Sequence, residues 1–203
     1  IDDDVVQEFL DMDSCLRISD KYLLAMVFAY FKRAQLRIRE YTRMNFFVAL
    51  YLANDMEEDE EEDKYEIFPW ALGQKWKDKF IKFLRKRDLL WAKIGYRAVV
   101  SKRCCEEIMA FDATNPAWKR NRPIHHAGAI RNYARDPDDD GYPRGPNASP
   151  RRCGLCDKDS QYDSASPASD SWYISSDDCS PAVSASDDNG VSRFNMKSKI
   201  IQL

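Results

Sequence analysis

The chain has 203 residues, of which 44% are hydrophobic and 32% charged, enough for one sizeable core and a tail. No apolar run approaches the ~20 residues of a membrane-spanning helix, which argues against an integral membrane protein. The net charge of −3 excludes little, because acidic residues concentrate at 57–63 and basic residues at 75–103. The chain opens at Ile1 rather than a methionine, so we expect it to be part of a longer protein.

The first 54 residues predict three helices. Asp2, Asp3 and Asp4 offer N-caps for a short first helix, and Ser19 and Asp20 open a second. Apolar residues cover more than one face of the second helix: Leu23, Leu24, Met26, Val27, Phe28, Tyr30 and Phe31. A third helix over 42–54 is apolar almost all round. Helices of this kind belong in the middle of a bundle.

Seven consecutive carboxylates, Glu57 to Asp63, follow the third helix after two intervening residues. The helix macrodipole already places partial negative charge at that end, so either water solvates the run or a basic partner neutralises it. Blocks of like charge are usually solvated loops or interaction tails. This run is held between a buried helix and the aromatic residues Phe68 and Trp70, which favours a docking surface. For Trp70 itself we expect a core position.

The remaining helices are amphipathic. A long helix over 76–94 carries lysines and arginines on one face, and Gly95 predicts its end. Ser101 can cap one more helix, which stops before Asn115-Pro116. Beyond Asp136 the chain is rich in Ser, Asp, Pro and Gly with few aliphatic residues, which cannot repay the entropy of ordering. We therefore predict an all-α fold, with one helical domain at 1–136 and a disordered tail at 137–203.

The sequence offers little that would support catalysis. The only two histidines, His125 and His126, are adjacent, and the seven glycines form no phosphate-cradling loop. No serine or cysteine stands in the context of an activated nucleophile. We therefore predict that the chain is not an enzyme and needs no cofactor. The basic face of 75–103 leaves one alternative, a nuclear helical adaptor that binds nucleic acid or another protein.

The cysteines have one suggestive spacing. Cys153 and Cys156 are separated as zinc ligands often are, and His125 and His126 would in principle complete a set of four. No second CxxC or HxxxH accompanies them, so the pattern favours free thiols in a flexible tail. We predict reduced cysteines and no metal; stoichiometric zinc in the purified protein would overturn this interpretation.

Several long segments resemble the Speedy/Ringo family of cyclin-dependent kinase activators. They span most of residues 1–136 and are specific in sequence. The segments are DKYLLAM (20–26), YFKRA (30–34), NFFVALYLAN (45–54), EEDEEEDKYEIFPWALG (57–73), YRAVVSKRCCEEIMA (96–110) and HHAGAIRNYARD (125–136). The tail adds PRGPNASP and the CxxC pair.

The resemblance implies a cyclin-box-like helical domain that binds a kinase beside its regulatory helix and activation segment. It implies a role in cell-cycle or meiotic control in the nucleus, with the cytoplasm as a second location, and activation without phosphorylation of that segment. In a cyclin box, helices 42–54 and 76–94 would face the kinase. A cyclin has a lysine just after the first of these two helices and pairs it with a glutamate on the second helix. Here Asp55 and Arg87 stand there, so that contact cannot be carried over.

The resemblance also suggests which residues meet the kinase. In such kinases a phosphothreonine gathers arginines and orders the activation segment. Carboxylates from a partner can take over that electrostatic role. The expected acidic contacts are Asp20, Glu57, Glu58, Asp59 and Glu60. Tyr65 and Phe68 are the expected apolar contacts.

Ser149 is a candidate phosphorylation site. Ser149-Pro150-Arg151-Arg152 fits the Ser-Pro-x-Arg preference of proline-directed kinases. Short motifs of this kind often arise by chance in tails, so the motif alone carries little weight.

Overall fold

The computed structural model describes residues 3–58, 61–126, 143–150, Cys153 and Cys156, and these residues form an all-α fold, as predicted. The helices are α1 (Asp4–Met12), α2 (Lys21–Arg33), α3 (Arg43–Glu57), α4 (Glu61–Lys64), α5 (Ile67–Leu72), α6 (Trp76–Lys93) and α7 (Lys102–Ala110). Short 3-10 turns lie at Ile38–Glu40, Pro116–Lys119 and Ile124–His126. Within the described ranges no helix is both long and apolar enough to cross a membrane.

The core lies around α2 and α3, which pack against each other. α7 covers the other side of α2, while α5 and α6 cover α3. Every residue of α3 from Phe46 to Asn54 is buried, as its all-round apolar pattern predicts. Only the two ends of α3 are therefore available to a partner.

Side-chain caps fix where the helices begin. The carboxylate of Asp20 accepts hydrogen bonds from the backbone N–H groups of Tyr22 (2.8 Å) and Leu23 (2.9 Å) at the start of α2. Ser101 caps α7 in the same way. After α6, Gly95 adopts φ 65°, a left-handed conformation that suits glycine and ends the helix. The predicted cap residues and the predicted break are confirmed.

Part of the segment for which the sequence predicts disorder contacts the domain. The backbone N–H of Arg144 donates to the Glu66 carboxylate (2.5 Å), and the Trp70 indole N–H donates to the Arg144 carbonyl (2.8 Å). Gly145 lies against Pro69, where a Cβ atom would approach to 3.0 Å. The prediction of disorder was based on composition, which does not reveal these contacts because their partners are far away in sequence. Apart from 143–150, Cys153 and Cys156, the residues of the predicted tail lie outside the described part of the chain.

Candidate functional site

One arginine, Arg122, joins the acidic end of α3 to the start of α2 through two ion pairs. The guanidinium of Arg122 donates to the carboxylates of Asp20 (3.0 Å) and Glu58 (2.7 Å). All three side chains are largely buried, with 12%, 12% and 24% of their surfaces exposed. The structure thus brings together two of the acidic residues expected to contact a partner, but it also shows that they already share a cation.

Arg122 ties the same site to the loop between α1 and α2. Its guanidinium donates to the backbone carbonyls of Leu16 (3.1 Å) and Arg17 (2.8 Å). Sequence reasoning missed Arg122, because it lies in a basic, polar stretch with no helical periodicity. Only its contacts with Asp20 and Glu58 distinguish it from the other arginines.

Glu57 completes the acidic site, and it is exposed. Partial desolvation of the carboxyl group, together with the negative charges of Glu58 and Asp20, raises the pKa of Glu57. Burial likewise raises the pKa of Glu58, against the opposing effect of its hydrogen bond with Arg122. An added cation would therefore stabilise the ionised forms of both carboxylates.

Other parts of the acidic run are held differently. Asp63 forms an ion pair with Arg17 (2.5 Å). Asp59 and Glu60, two further expected contacts, lie outside the described residues, so their positions remain predictions. We name the group of Asp20, Glu57 and Glu58 the acidic cluster.

A buried group of ion pairs lies where α3 passes into the acidic run. Asp55, at the end of α3, pairs with Lys64 of α4 (2.7 Å) and with Arg87 of α6. Both cations also lie over the ring of Tyr51, at 5.8 Å from its centre. The structure therefore joins Asp55 to Arg87, the two residues that stand where a cyclin carries its lysine and glutamate. It also adds Lys64, which sequence reasoning missed.

The two expected aromatic contacts differ in exposure. Phe68 is only 4% exposed and lies in the core, with its ring stacked on those of Tyr51 (5.2 Å), Tyr65 (5.8 Å) and Trp76 (5.7 Å). It offers little surface to a partner, so its position supports a packing role. Tyr65 is half-buried at the edge of this cluster. Trp70 is also buried, in agreement with the core position expected from the sequence.

A second exposed surface lies on α6. Ile81 and Leu89 are 55% and 70% exposed, and Arg85 lies between them on the same side of the helix. An apolar stripe interrupted by a cation suits a protein partner better than a phosphate backbone, which favours positive charge alone. Sequence reasoning identified the helix but not these residues, because periodicity does not separate core from interface.

Two remaining sequence candidates lie near the tail. Ser149 is exposed, and its carbonyl accepts a hydrogen bond from Arg144 (3.1 Å). Cys153 and Cys156 lie beside Cys15 and His126, with all four ligand atoms within 4.8 Å of one another. This is a group that could hold a metal ion.

Comparison with known proteins gives consistent matches. The model of the family Spy1, described as "Cell cycle regulatory protein", matches residues 1–122. Speedy protein A of Rattus norvegicus is 60% identical over 161 residues, which are 79% of this chain and 51% of that protein. Speedy protein C of Homo sapiens is 55% identical over 156 residues, 77% of this chain and 56% of that protein. The chain thus spans about half the length of the curated relatives it matches.

Proposed function

Because the chain belongs to the Spy1 (Speedy/Ringo) family of cell cycle regulatory proteins, we propose that it binds a cyclin-dependent kinase and activates it as a cyclin would, without being an enzyme itself. The proposal includes a nuclear site of action. The observation that carries it is the acidic cluster, in which Asp20 and Glu58 pair with one arginine and the exposed Glu57 lies near enough to interact with both carboxylates. This arrangement leaves negative charge for a basic segment of the kinase.

The acidic cluster would order the kinase activation segment in place of a phosphate group. Shifting a loop from mostly disordered to mostly ordered needs about 5.5 kcal/mol of differential binding. Charged hydrogen bonds contribute about 1.5–3 kcal/mol each, so two or three suffice. Arg122 already occupies Asp20 and Glu58, which must share their remaining oxygen lone pairs with the kinase. Glu57 and its neighbours Asp59 and Glu60 therefore become the main contacts in this proposal.

The exposed stripe on α6 supplies an apolar contact in the same proposal. We expect Ile81→Asp and Leu89→Asp each to weaken kinase binding by roughly 30-fold, the equivalent of about 2 kcal/mol for a central apolar contact. Calorimetric titration of the kinase measures this change. Phe111→Asp is the matched control, since Phe111 is an equally exposed apolar residue (60%) at the C-terminal end of α7, which packs on α2. Equal losses in all three variants would contradict a specific α6 contact.

Kinase affinity should also fall as the pH is lowered. Because their pKa values are raised, Glu57 and Glu58 take up protons at higher pH than ordinary glutamates. The charged groups that act on these two carboxylates are Asp20, Arg122 and Arg17. Protonation removes their attraction for a basic segment, so the dissociation constant should rise as the pH falls from about 7.5 towards 5. The Glu57→Gln/Glu58→Gln variant should bind more weakly at pH 7.5 and show a flatter profile. Parallel profiles for the two proteins would contradict the assignment.

The direct test measures kinase activity. An unphosphorylated cyclin-dependent kinase is mixed with the full chain, and phosphate transfer to a histone substrate is followed. The proposal requires activity well above that of the kinase alone. A kinase that neither binds nor gains activity would refute it. Nuclease-sensitive retention on DNA with a steep salt dependence would instead favour the nucleic-acid adaptor, through the basic face of α6.

A further inference from the structure

Four potential metal ligands from three separate segments meet at one point. Cys15 lies in the loop between α1 and α2, His126 ends the last 3-10 turn, and Cys153 and Cys156 come from the C-terminal part of the chain. The sulfur atoms of Cys15 and Cys156 are 3.7 Å apart. The His126 Nε2 atom lies 3.2 Å from the sulfur of Cys153 and 3.3 Å from that of Cys156.

These distances are close to those of a tetrahedral zinc site. With zinc–sulfur bonds of about 2.3 Å and zinc–nitrogen bonds of about 2.0–2.1 Å, tetrahedral geometry separates two sulfur ligands by about 3.8 Å and a sulfur and a nitrogen ligand by about 3.5 Å. The sulfur pair already has that separation, and the histidine has to withdraw from the sulfurs by only a few tenths of an ångström.

We propose that Cys15, His126, Cys153 and Cys156 bind one structural zinc ion. On binding, the three thiols lose their protons to solvent and His126 binds as a neutral imidazole through Nε2. No bond in the protein is broken and no redox partner is needed, because zinc keeps its charge of +2. Four protein ligands leave no open coordination position, so the site is structural rather than catalytic. Soft thiolate ligands favour zinc over magnesium or calcium.

The surroundings suit such a site. Three thiolates and one zinc ion carry a net charge of −1, and Arg17 and Arg122 lie close enough to His126 for their charges to act on its ring. Cys15 directly precedes Leu16, whose carbonyl accepts a hydrogen bond from Arg122. Zinc would therefore join Cys153 and Cys156 to the loop that leads into the acidic cluster. This is a stabilising role that the kinase proposal does not require.

The sequence alone pointed to free thiols because no second CxxC or HxxxH accompanies Cys153 and Cys156. The missing ligand is Cys15, which stands more than a hundred residues earlier and has no motif around it. Only the fold brings it to the other three.

The test begins with metal analysis of the full chain, purified under reducing conditions without chelator. We expect one zinc ion per chain. Replacement of zinc by cobalt should give a thiolate-to-cobalt charge-transfer band and the intense visible bands of tetrahedral cobalt. This spectrum is recorded on the unaltered protein, so the test does not depend on whether a variant folds. Absence of both zinc and the charge-transfer band after titration with either metal would overturn the proposal, as would a disulfide between Cys15 and Cys156 in the reduced preparation.

Variants then assign the ligands. Cys15→Ser, Cys153→Ser and Cys156→Ser should each reduce the charge-transfer intensity by about a third, since one of three thiolates is lost, and weaken zinc binding by more than the 10–100-fold typical of an outer-shell residue. Cys105→Ser is the control for loss of a thiol, in α7, and should leave both values unchanged.

His126→Ala should release the metal, whereas His125→Ala should not, although the His125 Nε2 atom lies 3.3 Å from the Cys156 sulfur. The reverse result for the two histidines, or full zinc content in Cys15→Ser, would overturn the assignment. These readouts involve no kinase, so they stand apart from the proposed function.

Discussion

Replacing Arg122 with alanine is expected to lower the free energy of unfolding by about 3–5 kcal/mol, the usual cost of removing one partner from a buried ion pair. The substitution leaves Asp20 and Glu58 facing each other without a compensating charge, both largely shielded from water. It also removes the hydrogen bonds to the carbonyls of Leu16 and Arg17. Urea denaturation with the metal content held constant measures the change.

Arg17→Ala is the matched control. It removes another arginine–carboxylate pair at the same site, but the side chain of Arg17 is 42% exposed, so the expected loss is at most about 1 kcal/mol. Adding Asp20→Asn and Glu58→Gln to Arg122→Ala should restore part of the lost stability, because the unpaired charges are then absent. The ion-pair explanation fails if Arg122→Ala costs no more than Arg17→Ala, or if neutralising both carboxylates restores nothing.

Local sequence patterns were enough to predict most of the helical fold. The continuous apolar stretches of α2 and α3 correctly predicted two central helices, because a helix that is apolar all round has to be covered on every side. The caps at Asp20 and Ser101 were also predictable, because a cap side chain accepts hydrogen bonds from backbone N–H groups only two or three residues away.

The site was less predictable, because its geometry depends on contacts between distant residues. Arg122 meets Asp20 across about a hundred residues, and no local pattern distinguishes it from other arginines. Periodicity also placed Phe68 on the right element without saying which way its ring would face, and the structure buries it. The acidic run was identified by composition alone, yet composition could not show that Asp20 and Glu58 are already paired.

Because Asp20 and Glu58 already pair with Arg122, charge reversal should have its largest effect at the other residues of the acidic run. The triple substitution Glu57→Lys/Asp59→Lys/Glu60→Lys is expected to reduce kinase activation by at least about 100-fold, since two or three charged hydrogen bonds of about 1.5–3 kcal/mol each are replaced by repulsion. Glu57→Gln alone should cost less than about 10-fold, because neighbouring carboxylates can take over the contact. The dependence of histone phosphorylation on the concentration of the chain gives both values.

The control for the triple substitution is Glu8→Lys/Glu106→Lys/Glu107→Lys, which changes the net charge by the same amount at exposed positions of α1 and α7. This variant should activate the kinase almost as well as the unaltered chain. If both triple variants lose activity equally, the acidic run acts only through long-range charge, which high salt would screen. If the first variant retains full activation, acidic residues of the run do not replace the phosphate group. The kinase arginines must then find their partners elsewhere, and the exposed stripe of Ile81 and Leu89 becomes the main contact to test.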